Sequence, residues 1–410
     1  MNVEQACAAA INAELLTSEQ AAQRGQAWSA REGAAADGAG FVLWLVSEHQ
    51  LTDFQAAALL SGIPGPYMLG PYRVSARLTA GRLGDVFRAE HAEFNQPVAL
   101  KIFPATLSRN RERLARLGRE ARVGLQVDHL NVVKTFQVGK VGDIPFIAME
   151  ELSGETLEQR LQRDGRLPYA EACELIQQAA RGLAYLHSED VVHRDICPAN
   201  LWITTHGLVK ILEFGAARDA LSFLDSLEGD DEDLTVNVGG QSGSSVLGHY
   251  DYMSSQQAQD PHSANVASDL YSLGCTLYHC LTGQVPFPDR NPVRQMLRHA
   301  NETPRVLFDF DQEIPESVQE IVSKLLAKLP SDRFDSAEEA AERLAEVVPP
   351  KTLPELDPVN AEFLEWLRNG QSDSPAGELQ DVGYEPEFQE FLDFVSESRF
   401  EAVMSQRPTF

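Results

Sequence analysis

Over residues 1–69 the apolar positions recur at helical spacing in a run rich in Ala, Leu and Gln, broken by a Gly/Ala stretch at Gly33–Gly40. A faint repeat runs through it: Leu16-Thr17-Ser18-Glu19-Gln20-Ala21-Ala22 returns as Leu51-Thr52-Asp53-Phe54-Gln55-Ala56-Ala57. In both copies a Thr stands three residues before a Gln, the capping-box spacing that satisfies orphan amide donors at a helix start. The segment predicts two small helical hairpins that pack on whatever follows. From Pro71 the period changes. Tyr72–Leu78, Asp85–Glu90 and Pro97–Phe103 read as strands, the first two joined by a Gly-containing turn. Helical spacing returns over Asn110–Val127. Beyond Glu151 most of the chain to Val347 reads helical, with short strands at Leu201–Thr204 and Leu208–Leu212. A small β-rich half followed by a larger helical half predicts two lobes with a cleft between them.

The last stretch differs in charge. Residues 350–410 hold thirteen acids and four bases, a net of −9. Two acidic-aromatic pieces echo each other there, Glu362-Phe363-Leu364-Glu365-Trp366-Leu367 and Glu387-Phe388-Gln389-Glu390-Phe391-Leu392. Their composition predicts an acidic tail that touches the body only intermittently and can be removed without unfolding it. The organisation expected is therefore a helical segment at 1–69, a two-lobed domain at 70–348 (lobes 72–149 and 153–346) and an acidic tail at 349–410. Partner docking through the N-terminal helices or the tail is the corresponding expectation for interactions.

For the whole chain of 410 residues, 34 bases against 61 acids give −27, which argues against nucleic acid as a partner. The five cysteines form no CxxC pair and suit a reducing compartment. No apolar run approaches the length needed to cross a bilayer, and the first residues lack the basic start of a signal peptide, so a cytoplasmic location is expected.

Candidate chemistry appears in a fixed order. The turn Leu78-Thr79-Ala80-Gly81-Arg82-Leu83-Gly84-Asp85-Val86 suits phosphate contact, because glycines let backbone amides approach oxygens closely. Val98-Ala99-Leu100-Lys101 places a single Lys on an otherwise apolar strand, and Glu120 on the next helix is the candidate counter-charge. His193-Arg194-Asp195 with Asn200 offers a base and a metal ligand on one loop. Glu213-Phe214-Gly215 adds a further carboxylate.

In this order and spacing, residues 72–346 resemble the eukaryotic-like (Hanks-type) serine/threonine protein kinases of bacteria. Also in family order are His129-Leu130-Asn131, Asp269 in Ser268-Asp269-Leu270, Leu281-Thr282-Gly283 through Pro286-Phe287, and Asp332-Arg333-Phe334. The resemblance implies an α+β, two-lobed protein-kinase fold that uses ATP with Mg²⁺ or Mn²⁺ to phosphorylate protein Ser or Thr hydroxyls. It implies that Lys101 holds phosphates and pairs with Glu120, that Asp195 accepts the substrate hydroxyl proton, and that Asn200 and Glu213 bind metal. It further implies a nucleotide site formed by Leu78, Gly81, Gly84, Val86, Ala99, Met149, Glu150, Leu152 and Trp202.

The sequence departs from the family near the γ-phosphate. Glu213 replaces the family's metal-binding Asp, and Cys197 replaces a Lys two residues after the catalytic Asp. His249 replaces the Thr that contacts that Lys. Ser254-Ser255-Gln256 stands where Ala-Pro-Glu is usual, so an amide faces Arg333. Thr79 replaces the first glycine of the phosphate loop, and Gly124 replaces a bulky apolar residue. These departures imply weakened catalysis. The alternative they leave open is a pseudokinase acting as a nucleotide-binding or scaffolding module.

Overall fold

The computed structural model describes residues 1–33, 36–63, 65–79, 85–104, 124–212, 250–259, 263–348, 359–370, 379–383 and 389–396. Two compact units emerge. One comprises residues 1–125, 135–151 and 357–410, the other residues 126–134 and 152–356.

The first unit begins with four helices, α1 (Val3–Asn12), α2 (Ser18–Glu32), α3 (Gly38–Ser47) and α4 (Asp53–Leu60). Both predicted capping boxes are formed. Thr17 and Gln20 bond each other's amides at the start of α2, and Thr52 and Gln55 do so at α4. A seven-stranded sheet follows, built from β1 (Met68–Leu69), β2 (Tyr72–Thr79), β3 (Asp85–His91), β4 (Pro97–Ile102), β5 (Thr135–Val141), β6 (Ile144–Glu150) and β10 (Gln380–Asp381). The sheet order is β1-β2-β3-β4-β6-β5-β10. Every pair is antiparallel except the last, where β10 lies parallel to β5 with Gln380 opposite Gly139.

Side-chain alternation sorts this sheet. Phe87, Ala89, Val98, Leu100, Ile102 and Phe146 enter one apolar cluster together with Ala57, Leu45 and Phe41 of the helices. Val86, Ala99 and Lys101 alternate onto the opposite face.

The tail departs from expectation. Helices α12 (Ala361–Gly370) and α13 (Gln389–Ser396) bury Phe363, Leu367, Phe391, Leu392, Phe394 and Val395 in that same cluster. Phe391 stands 5.3 Å from Tyr67 and 6.3 Å from Phe54, ring centre to ring centre, and Phe363 stands 5.3 Å from Phe136. Asn360 fastens the start of α12 through its amide to Gln96 Oε1 (2.9 Å) and its side chain to the Phe94 carbonyl (3.1 Å). Glu362, Glu365 and Glu390 are exposed while the aromatic stripes complete a core. The expectation of a dispensable tail is thereby corrected: an aromatic residue every three or four positions is enough to bury one helix face, whatever the net charge.

The second unit contains β7 (Gly154–Thr156), α5 (Leu157–Asp164), α6 (Tyr169–Ser188), β8 (Leu201–Thr204), β9 (Val209–Ile211), α7 (Ser255–Gln259), α8 (Val266–Thr282), α9 (Pro292–Asn301), α10 (Glu316–Leu325) and α11 (Ala337–Val347). Its core centres on α6 and α8, and α8 is buried nearly all round, as its apolar sequence requires. Gly182 on α6 lets the helix approach the turn at Asn131. A Cβ there would meet the Asn131 carbonyl at 2.7 Å. No helix among the described residues is long and apolar enough to cross a membrane.

One measurement tests the tail's place in the core. Phe391→Ala removes a fully buried ring and is expected to cost the first unit about 3–5 kcal/mol in urea unfolding. Truncation after Val348 is expected to abolish its cooperative transition. An unfolding curve left unchanged by either would contradict the packing described.

Candidate active site

On β4 the predicted residues come together by register. Val86 lies opposite Lys101, and Lys101 opposite Ile147; Arg88 lies opposite Ala99, and Ala99 opposite Met149. Val86, Ala99, Lys101 and Met149 therefore share the sheet face turned away from the apolar cluster. Lys101 is 7% exposed, and its ammonium sits 5.7 Å from the Phe103 ring centre. The entrance to the Gly-rich turn is fixed by a buried ion pair, Arg77 to Asp85 at 3.0 Å. Leu78 occupies a bulge in β2 and is 39% exposed. Gly81, Gly84, Glu120 and Glu213 lie outside the described residues. Glu150 ends β6 and is half-buried, and Leu152 begins the longer stretch of the second unit.

The loop of Asp195 is held by one carboxylate. Asp269, in the first turn of α8, is fully buried. Its Oδ2 accepts from the His193 amide and from His187 Nε2, both at 2.8 Å, and its Oδ1 accepts from the Arg194 amide at 2.7 Å. These bonds hold Arg194 at φ +70°, a left-handed conformation that is costly for a non-glycine residue. The Arg194 carbonyl in turn accepts from Gln257 Nε2 at 3.2 Å.

His193 links this loop to the next. Its Nδ1 accepts from the Asp195 amide (3.3 Å), so Nε2 carries the proton and donates to the Leu212 carbonyl (2.8 Å). Leu212 directly precedes Glu213. Asn200 adds a second tie: its carbonyl accepts from the Leu212 amide at 2.8 Å. Its Nδ2 donates to the Asp195 carbonyl (2.8 Å) and to Asp195 Oδ2 (2.9 Å). Asp195, Asn200 and the residue before Glu213 are thus drawn to one place. Asn200 closes a short 3-10 turn over Pro198–Asn200 that starts at Cys197.

Cys197 is 6% exposed. Burial, followed by the neighbouring charge of Asp195, pushes its thiol well above the ordinary range, so it stays neutral at pH 7. Trp202, in β8, lies opposite Thr156 and Lys210 in the three-stranded sheet.

Further support comes from Arg333, 2% exposed. It donates to the carbonyls of Ala327 (2.8 Å), Ala267 (2.6 Å) and Lys328 (3.2 Å), to Ser255 Oγ (3.2 Å) and to Gln256 Oε1 (3.1 Å). Burial lowers its pKa to about 10. The amide expected to face this guanidinium does so.

Two members of the network were not legible in the sequence. His187 and Gln257 reach Asp269 and the Arg194 carbonyl across 82 and 63 positions of chain. Neither carries a local signal beyond being polar on a helix. Asp269 itself stood out only as a position in family order.

Known proteins resemble this chain in sequence and fold. The family described as protein kinase domain matches residues 72–344. Among curated relatives, serine/threonine-protein kinase PknB of Mycobacterium leprae is 31% identical over 278 residues, 67% of this chain and 42% of that protein. PrkC of Bacillus subtilis is 33% identical over 276 residues, 67% of this chain and 40% of that protein. The chain therefore spans about two-fifths of the length of these relatives. The solved kinase domain of Mycobacterium tuberculosis PknI shares the fold at a TM-score of 0.51 and 22% identity, over 68% of this chain and 97% of that one.

The Arg333 site yields a test. Gln256→Glu gives a buried cation the carboxylate it lacks, and the charge-assisted bond is expected to raise unfolding stability by about 1–2 kcal/mol at pH 7. A loss of stability in denaturant titration would mean that desolvating the new carboxylate outweighs the pairing.

Proposed function

The chain belongs to the protein kinase domain family, and on that premise we propose that it is an ATP-dependent protein serine/threonine kinase with weakened phosphoryl transfer. The observation that carries this reading is the grip of Asn200 on Asp195. Both Nδ2 protons point at Asp195, which fixes that carboxylate as an acceptor and leaves Asn200 Oδ1 as a hard oxygen ligand. Such a donor set suits Mg²⁺ or Mn²⁺. Lys101, buried on the sheet face shared with Val86, Ala99 and Met149, suits the phosphates of a nucleotide.

In this reading Asp195 orients the protein hydroxyl and takes up its proton at the carboxylate. Asn200 and Glu213 hold the metal, and Lys101, paired with Glu120, orients phosphate oxygens. Val86, Ala99, Met149, Leu78 and Trp202 enclose the base, Gly81 and Gly84 cover the phosphates, and Glu150 and Leu152 bind the base edge. Bound metal–ATP supplies the transferable phosphoryl group and neutralises its developing charge. Cys197 limits the rate: where the family has an ammonium, this chain presents a neutral thiol. The same observation favours the second reading, a pseudokinase that binds nucleotide without turnover.

Two measurements separate the readings. ATP at about a hundred times its dissociation constant in the presence of Mg²⁺ or Mn²⁺ is expected to add about 2.7 kcal/mol to stability, and the same ATP concentration without metal is expected to add less. Wild type is expected to transfer ³²P to itself or to a basic protein above an Asp195→Ala blank. Glu213→Asp with Cys197→Lys is expected to raise transfer by more than the product of the single changes, because both act on one phosphoryl group. Nucleotide binding with transfer equal to the blank would establish the pseudokinase, and no binding at all would leave a scaffold.

A further inference from the structure

The N-terminal helices do not close completely against the sheet of the first unit. Where the α1–α2 turn and the start of α4 meet β2 and β3, a cavity of about 250 Å³ remains, lined wholly by residues of that unit. A bulge lies in its wall. The β2–β3 register shifts between Val74 and Ala76, so Ser75 stands outside the regular ladder, and its carbonyl accepts from the Thr52 hydroxyl at the cap of α4. One cross-strand row, Arg73 opposite Glu90 and Glu90 opposite Pro97, forms part of the lining, with Arg88 two residues from Glu90 on β3. Leu15 of the α1–α2 turn adds an apolar side chain.

The lining holds bonding capacity that the chain itself leaves unspent. Arg73 gives Nη2 to Glu14 at 2.8 Å, and Arg88 gives Nε to Glu151 at 2.5 Å. Each guanidinium therefore keeps further N–H donors with no partner among the described residues. Gln55 uses Oε1 to cap the Thr52 amide at 2.9 Å, which leaves its Nε2 to donate elsewhere. The buried Tyr67 hydroxyl also has no hydrogen-bond partner among the described residues. Glu90 is exposed and forms no ion pair among them, because Arg73, its neighbour across the ladder, is engaged by Glu14.

These charges select the guest. An anion would meet Glu90, and a simple cation would leave the spare guanidinium donors unused. A molecule carrying both charges satisfies both. The volume is below that of pockets built for drug-sized ligands, and Leu15 and Pro97 offer apolar surface to a short side chain. We infer that this cavity is a binding site for a free α-amino acid with an aliphatic side chain. Its ammonium meets Glu90, its carboxylate accepts from Arg73 and Arg88, and its side chain lies against Leu15 and Pro97. Binding here does not depend on phosphoryl transfer.

The test is isothermal titration calorimetry of the full-length protein with L-leucine and two analogues, each lacking one charge. Leucinamide has no carboxylate, and 4-methylpentanoate has no ammonium. Wild type is expected to bind leucine and to bind each analogue about tenfold or more weakly. Arg88→Met is expected to weaken leucine by a similar factor. Glu90→Gln is expected to weaken leucine while strengthening 4-methylpentanoate, since the carboxylate that repels the analogue is gone. Loss of folding could not produce that exchange, and both side chains are exposed, so the thermal midpoints are expected to stay at the wild-type value. The proposal is overturned if wild type gives no saturable heat with leucine up to about 10 mM. It is equally overturned if either analogue matches leucine, or if either variant binds leucine as tightly as wild type.

Discussion

A single buried carboxylate organises the chemistry of the second unit. Asp269 accepts two backbone amides and one imidazole N–H while fully shielded from water. A carboxylate taken out of water without partners would cost several kcal/mol, and here the three donors offset that cost. The same donors fix the backbone of His193 and Arg194, including the left-handed Arg194 that a free loop would abandon. From there the order spreads outward: His193 is set in one tautomer, Leu212 is tied to His193 and Asn200, and Asn200 holds Asp195. Removing any later link would loosen one contact. Removing the first would leave two buried amides unpaired and release the strained turn.

The first unit depends on a different constraint, the need to cover one face of a seven-stranded sheet. Three stretches far apart in sequence meet there: the N-terminal helices, the sheet and the tail. His91 records how thoroughly they do so. Its ring lies 4.6 Å from that of Trp366 and 4.8 Å from that of Phe94, and burial pushes its imidazole down to about 4. It is therefore neutral at pH 7. Among the described residues the tail's acids Glu362, Glu365 and Glu390 are exposed, so their charge does not oppose this packing.

How much of this could be read from the sequence follows from the range of each interaction. The capping boxes of α2 and α4 are local, three residues wide, and the structure forms both. Strands β2, β3 and β4 were legible within one or two residues because each alternates or ends at a turn. Strands β5 and β6 were not, since their residues are buried on both faces and present no alternation. The tail misled for the opposite reason. Its composition resembles that of a solvated segment, and only its long-range partners Phe54, Tyr67 and Phe136 reveal the buried stripe. Asp195, Asn200 and Lys101 were singled out by their order and spacing and Ala99 by the family resemblance, whereas His187 and Gln257 act through tertiary contacts that spacing does not encode.

Geometry and chemistry separate at Cys197. The loop that carries it keeps every bond that shapes it: the Asn200 amide reaches the Cys197 carbonyl at 3.0 Å, and Asn200 still grips Asp195. Yet the side chain supplies no charge, because burial and the neighbouring carboxylate both disfavour its thiolate. An ammonium at this position would lie beside Asp195 and add a positive charge to the loop. A neutral thiol leaves the fold intact and removes that one electrostatic contribution. The bonds that position Asp195 and Asn200 are thus independent of the charge at Cys197, so the shape of the loop and its electrostatics are set by different atoms.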